Sequence, residues 1–154
     1  MPVIKVETRI RAPIELCFDL SRDIDLHMQS TALTGEVAVA GVTKGLIGPD
    51  EEVTWQATHF GVRQKLTSRI TAFNRPFHFR DSQVKGAFSR FDHDHFFEEL
   101  SGITLMRDVF DYDCPLGFLG RLADRLFLAK YMKSFLGQRN EVIRAAAEAG
   151  PLLK

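Results

Sequence analysis

Residues 89–115 read SRFDHDHFFEELSGITLMRDVFDYDCP. Two runs in this stretch, 89–99 and 102–114, alternate with period two around the pair Ser101-Gly102. Period two is the mark of a half-buried strand. A connection this short demands antiparallel neighbours, because a parallel pair needs a long crossover. Side chains of a strand alternate between its faces. Phe91, His93, His95 and Phe97 therefore share one face of the first run, and Asp92, Asp94, Phe96 and Glu98 share the other. In the second run Thr104, Met106, Asp108, Phe110 and Tyr112 share a face, and the alternation stops at Cys114-Pro115.

The same rhythm extends upstream, predicting strands near 35–42, 50–60, 62–74 and 77–85. The breaks fall at Gly45–Asp50, Gly61, Asn74-Arg75-Pro76 and Gly86. Residues 3–10 (VIKVETRI) alternate too and predict a first strand. Ala12-Pro13 then opens a helix with proline at its favoured first position. Ile14, Cys17 and Phe18 give that helix an apolar side, and Ser21 to Ser30 reads as a second short helix. Gly41, Gly45 and Gly48 lack the spacing of a phosphate-binding loop, and strands rather than a helix follow them.

Downstream of Pro115 apolar residues recur at three and four: Leu119, Leu122 and Leu126, then Phe135, Val142 and Ala146. This predicts one long helix over 116–149, bent near Ala129–Lys133 and stopped by Gly150-Pro151. The order is strand, two helices, six strands and a long helix, an α+β class. A sheet of six or seven antiparallel strands twists and curls. One helix does not fill its concave face, so the topology predicts a cavity between sheet and helix.

At 154 residues the chain has the size of a single domain, expected over 1–150 with a short tail at 151–154. Twenty Lys+Arg balance twenty Asp+Glu. That excludes the basic footprint of a nucleic-acid binder and gives no reason to expect an anionic membrane as partner. Cys17 and Cys114 have no metal-ligand spacing, and Cys17 on an apolar helix side reads as a structural thiol. The N-terminus has no apolar core of a signal peptide, and no window approaches the ~20 apolar residues of a membrane span. A soluble, cytoplasmic protein with reduced thiols is expected, monomer or homodimer. Of thirteen Phe, six (Phe77, Phe79, Phe88, Phe91, Phe96 and Phe97) crowd the middle of the chain. Rings this costly to expose line either a filled core or a cavity.

The element order and several local motifs resemble the START-like superfamily, also called SRPBCC or helix-grip proteins. Its members include pollen allergens, polyketide cyclases and lipid-transfer domains. The residues carrying the resemblance are Phe79-Arg80-Asp81-Ser82-Gln83, Gly86-Ala87-Phe88, His93-Asp94-His95-Phe96-Phe97-Glu98, Gly102 to Asp108, and Pro115-Leu116-Gly117. They are similar to a bacterial ligand-binding subgroup and depart from it at Ala87, where the pattern has proline. The resemblance implies the helix-grip fold with an internal pocket. It implies little about chemistry, since one fold hosts carriers, receptors and enzymes.

Small-molecule pockets combine apolar walls with a few polar groups. The faces supply that mixture: Trp55 and His59 with Val53 and Ala57; Phe79, Asp81 and Gln83 with Phe77; Phe91, His93, His95 and Phe97; Met106, Asp108 and Phe110. Glu51 is expected at the mouth. His93 and His95 admit three readings: structural partners of Asp81 or Asp108, hydrogen-bond donors to a ligand, or two ligands of a zinc ion completed by Asp81 or Asp108. No cofactor or resident metal is expected. Buried Asp108 must be paired or protonated, and a His–Asp pair is the minimal general-base arrangement. The expected function is binding, as carrier or sensor, of a small hydrophobic molecule. The alternative is a cyclase or dehydratase with His93 or His95 as base and Asp108 or Asp81 orienting it. A third reading is a structural or partner-binding domain, and the missing GxSxG argues against a serine hydrolase.

Overall fold

The structure is a computed structural model that describes residues 2–32 and 34–149. The helix stop Gly150-Pro151 and the tail 151–154 lie outside the described residues. Seven strands form one antiparallel sheet: β1 (Val3–Ile10), β2 (Val37–Gly41), β3 (Glu52–His59), β4 (Val62–Asn74), β5 (His78–Lys85), β6 (Arg90–Leu100) and β7 (Ile103–Asp113). Their order across the sheet is β1-β7-β6-β5-β4-β3-β2. Every connection from β2 to β7 joins neighbours. Only β1 pairs out of sequence, lying against β7 with Val6 opposite Asp108.

Helices α1 (Ile14–Ser21) and α2 (Ile24–Ser30) bridge β1 to β2. Pro13 is the residue just before α1 rather than its first residue, and Asp23 caps α2 by accepting from the Leu26 amide at 3.1 Å. After β7 the chain runs through α3 (Gly117–Ala123), a π-helical turn (Asp124–Leu128) and α4 (Ala129–Ala149) without a break. The irregularity expected at Ala129–Lys133 therefore falls one turn earlier. Tyr112 at the end of β7 donates its hydroxyl to the carboxylate of Asp124, tying the sheet to the π turn.

Two apolar clusters hold the molecule together. In one, Phe18 of α1 meets Phe73, Phe79 and Phe97 edge-on, with ring centroids 5.4, 5.2 and 5.3 Å away, and Ile143 and Ala147 of α4 join it. In the other, Phe91, Phe110 and Tyr112 pack with Leu136 of α4. Cys17 is fully buried and Cys114 partly so, and both thiols are free. Only the second half of the expected helix stripe turns inward, where Val142 and Ala146 pack against the first cluster. Leu136, Ile143 and Ala147 are buried, whereas Leu119, Leu122 and Leu126 are exposed. No described helix is long and apolar enough to cross a membrane.

Candidate functional site

Between the sheet and α4 lies a cavity of about 410 Å³ whose wall draws on both clusters. Ile24 and Ile47, Val53, Trp55 and Ala57 of β3, Ile70 of β4, Phe79 of β5, Phe91 of β6, Phe110 of β7 and Leu136 of α4 give it an apolar surface. Its volume falls within the ~300–1,000 Å³ of small-molecule pockets.

One polar station sits where β5, β6 and β7 run side by side. Register places Asp81 opposite His93, and His95 opposite both Phe79 and Asp108. The side chains pair diagonally instead. His93 Nε2 lies 2.9 Å from Asp108 Oδ1, and His95 Nε2 lies 2.8 Å from Asp81 Oδ1. The two imidazoles lean on each other with ring centroids 3.9 Å apart, and Phe79 stacks on His95 at 4.1 Å. From α4, Asn140 donates to Asp108 Oδ2 at 2.6 Å. Arg139 Nη1 approaches Asp108 Oδ1 at 3.5 Å, and its Nη2 donates to the carbonyl of Ser21 at 3.0 Å.

Charge within this cluster is set by burial and by neighbours. Asp108 is 0% exposed. Burial opposes its ionisation, yet the hydrogen bond from His93 and the close approach of His95 outweigh that and hold its carboxyl well below the usual range. Asp81 is lowered in the same way through His95 and His93. Burial and the neighbouring His95 push His93 down, so it is neutral. His95 is opposed by burial but raised overall by Asp108 and Asp81, which favours its protonated form. Two carboxylates thus lie against two imidazoles and the guanidinium of Arg139, partners that a buried carboxylate requires. His95 Nδ1 lies 3.1 Å from Asp108 Oδ1 but out of line for a hydrogen bond, and is left without a partner.

A second polar station lies toward the β2–β3 end of the same cavity. His27 of α2 bonds Glu36, and His59 Nδ1 of β3 lies 2.6 Å from the Tyr131 hydroxyl of α4. Trp55 packs against His27, with centroids 4.3 Å apart. All five side chains line the cavity.

Of the residues singled out in the sequence, Trp55, His59, Phe79, Asp81, Phe91, His93, His95 and Phe110 line the cavity. Four do not. Asp108 stands behind the histidines. Phe97 is taken up by Phe18, and Met106 is sealed beside Ser21 Oγ at 3.3 Å. Gln83 turns aside to donate to the carbonyl of Phe88 at 2.8 Å. Nor is Glu51 at the mouth; it is exposed and accepts from the Gly48 amide at 2.6 Å. Phe77 lies just outside β5 and is exposed.

Sequence reasoning missed His27, Glu36, Tyr131, Arg139 and Asn140. Arg139 had a legible signal: it interrupts the stripe Met132, Leu136, Ile143, Ala147 at helical spacing. His27 and Glu36 had none, because a short helix and a loop bring them to the wall. Asp81, His93 and His95 offer three donor atoms within 4.8 Å of one another, enough in number for a metal ion. In this structure His95 bonds Asp81, His93 bonds Asp108, and the positive Arg139 lies close by.

No family model matches the chain, and no curated protein matches it. Solved structures do. The protein TTHA0849 from Thermus thermophilus is 18% identical with a TM-score of 0.78, over 96% of this chain and 98% of that one. Ginseng major latex-like protein 151 from Panax ginseng is 16% identical with a TM-score of 0.70, over 95% and 97%. A START superfamily protein from Mycobacterium smegmatis is 14% identical with a TM-score of 0.64, over 96% and 94%. At these identities the likeness establishes the fold, the helix-grip architecture that the sequence motifs resemble.

Proposed function

From a START-like helix-grip fold as premise, we propose that this protein binds a small, mostly apolar molecule bearing one polar group. The apolar body lies among Trp55, Ile70, Phe91 and Phe110, and the polar group meets His93, His95 and Asp81. The observation that carries this reading is the cavity of about 410 Å³, walled by apolar side chains and ended by a hydrogen-bonded His–Asp cluster. A filled core would not hold open such a volume, because unfilled space costs contacts on every side. His93 gives its Nε2–H to Asp108, which leaves its Nδ1 lone pair to accept from a ligand hydroxyl. His95 and Arg139 favour a ligand oxygen that carries partial negative charge.

One observation supports a second reading, proton-transfer catalysis of the cyclase or dehydratase type. A neutral histidine oriented by a buried carboxylate at 2.9 Å is a general-base arrangement.

Native mass spectrometry of the purified protein, followed by organic extraction, tests both. Binding predicts one small apolar molecule per chain, the same in wild type and in His93→Gln. Catalysis predicts that the variant retains the unconverted substrate: heavier by one water for a dehydratase, and of equal mass but different chromatographic retention for a cyclase. A chain that carries nothing and takes up no apolar probe contradicts both.

A further inference from the structure

The segment from Leu116 to Lys133 has a surface that the cavity does not explain. Phe118, Leu119, Leu122 and Leu126 are exposed, Phe118 at 69%. They recur at helical spacing, so they form one stripe along α3 and the π turn. Phe60 adds a further exposed ring beside the same segment. It sits 61% exposed at the tip of the two-residue β3–β4 hairpin, with its ring 6.3 Å from Phe127 and 4.6 Å from Tyr131. That hairpin has positive φ at both Phe60 (52°) and Gly61 (75°). Such a turn favours Asn-Gly, and a bulky residue held there is a strained choice. A large ring is presented to solvent where a small polar residue would fold more easily.

Charge surrounds the stripe. Between Leu116 and Lys133 stand Arg121, Arg125, Lys130 and Lys133, all exposed, against one acid, Asp124, which Tyr112 already engages. Lys130 and Lys133 also border a crevice of about 220 Å³ between α4 and β1, whose other side carries Lys5. A balanced net charge over the whole chain conceals this local excess.

We propose that this face docks on an anionic lipid bilayer, with Phe118, Leu122, Leu126 and Phe60 entering the interface and the four basic residues meeting lipid phosphates. A helix with aromatic and leucine side chains on one side and Arg and Lys beside them is suited to that plane. A second copy of the chain fits poorly, because a two-fold contact would set the same basic residues against each other. Phe60 and Phe127 line the cavity as well as the docking face. A ligand would then pass between bilayer and cavity without crossing water. The docking stands independently of the proposed function, and only this route rests on it.

Sedimentation of the full chain with phosphatidylglycerol vesicles, against phosphatidylcholine vesicles, tests the proposal. Binding to the anionic vesicles is expected, weakening as salt screens it. Phe118→Asp/Leu122→Asp should weaken it by about tenfold or more, and Arg121→Glu/Arg125→Glu by roughly fivefold per residue. None of these four residues lines the cavity, so uptake of an apolar fluorescent probe by the variants shows that they are folded. The proposal is overturned if wild type sediments with neither vesicle, or if the variants bind as well as wild type. It is also overturned if wild type is a dimer by analytical ultracentrifugation that Phe118→Asp/Leu122→Asp dissociates.

Discussion

Asp108 carries a full charge at a position sealed from water, and four side chains face it: His93 at 2.9 Å, Asn140 at 2.6 Å, His95 at 3.1 Å and Arg139 at 3.5 Å. Removing one member of a buried ion pair leaves the others uncompensated. Asp108→Ala should therefore cost about 3–5 kcal/mol in urea denaturation near neutral pH. The pH dependence has a definite sign. The folded carboxyl lies below its ordinary value of 3.8, so the unfolded chain takes up the proton first. This stabilisation is complete above 3.8 and is lost as pH falls through the folded value. Asp81 acts in the same direction. His95, raised, contributes below 6.5 and loses that contribution as pH rises through its folded value; His93, lowered, acts in the opposite sense. The two histidines offset each other in part, and the acid limb remains. Thermal melts of Asp108→Asn across the acid range should show a flatter limb than wild type. An unchanged slope would mean that Asp108 is protonated in the fold. The pairing itself was legible, since alternation alone set Asp108 and the histidines on facing strands. The diagonal connection and the partners from α4 were not, because they depend on how the helix crosses the sheet.

Among the elements, the strands were the most legible, since each turn is short and each run alternates. β1 spans Val3–Ile10 and β4 spans Val62–Asn74, the runs read from the sequence, and the other five differ by a residue or two at their ends. The C-terminal helix was legible as a helix but, over its first half, not in the direction it faces. Period 3.6 identifies an apolar stripe, yet it does not say whether sheet or another phase covers that stripe. Here Leu119, Leu122 and Leu126 face outward, and the covered positions lie further along at Leu136 and Ile143. The short α1 is anchored chiefly through Phe18, fully buried between three other phenylalanines. Phe18→Ala should lower stability by about 3–5 kcal/mol, the cost of an emptied core site. Equilibrium urea unfolding measures it, and a loss under about 1 kcal/mol would show that the site collapses without strain.

For the whole molecule, the central feature is space that folding leaves open. Proteins pack their interiors nearly to crystal density, so a persistent cavity gives up stability that filling it would restore. Ala57 on β3 lines the cavity and offers a place to fill it. Ala57→Phe should leave thermal stability unchanged or raised, while excluding any occupant. Titration with the apolar anion anilinonaphthalene sulfonate reads this directly, since its sulfonate suits the His95–Arg139 end of the cavity. One saturable site is expected in wild type, with a loss of affinity of about tenfold or more in Ala57→Phe, where an occupant loses its apolar contact area. Equal affinity in a folded Ala57→Phe variant would contradict binding in this cavity.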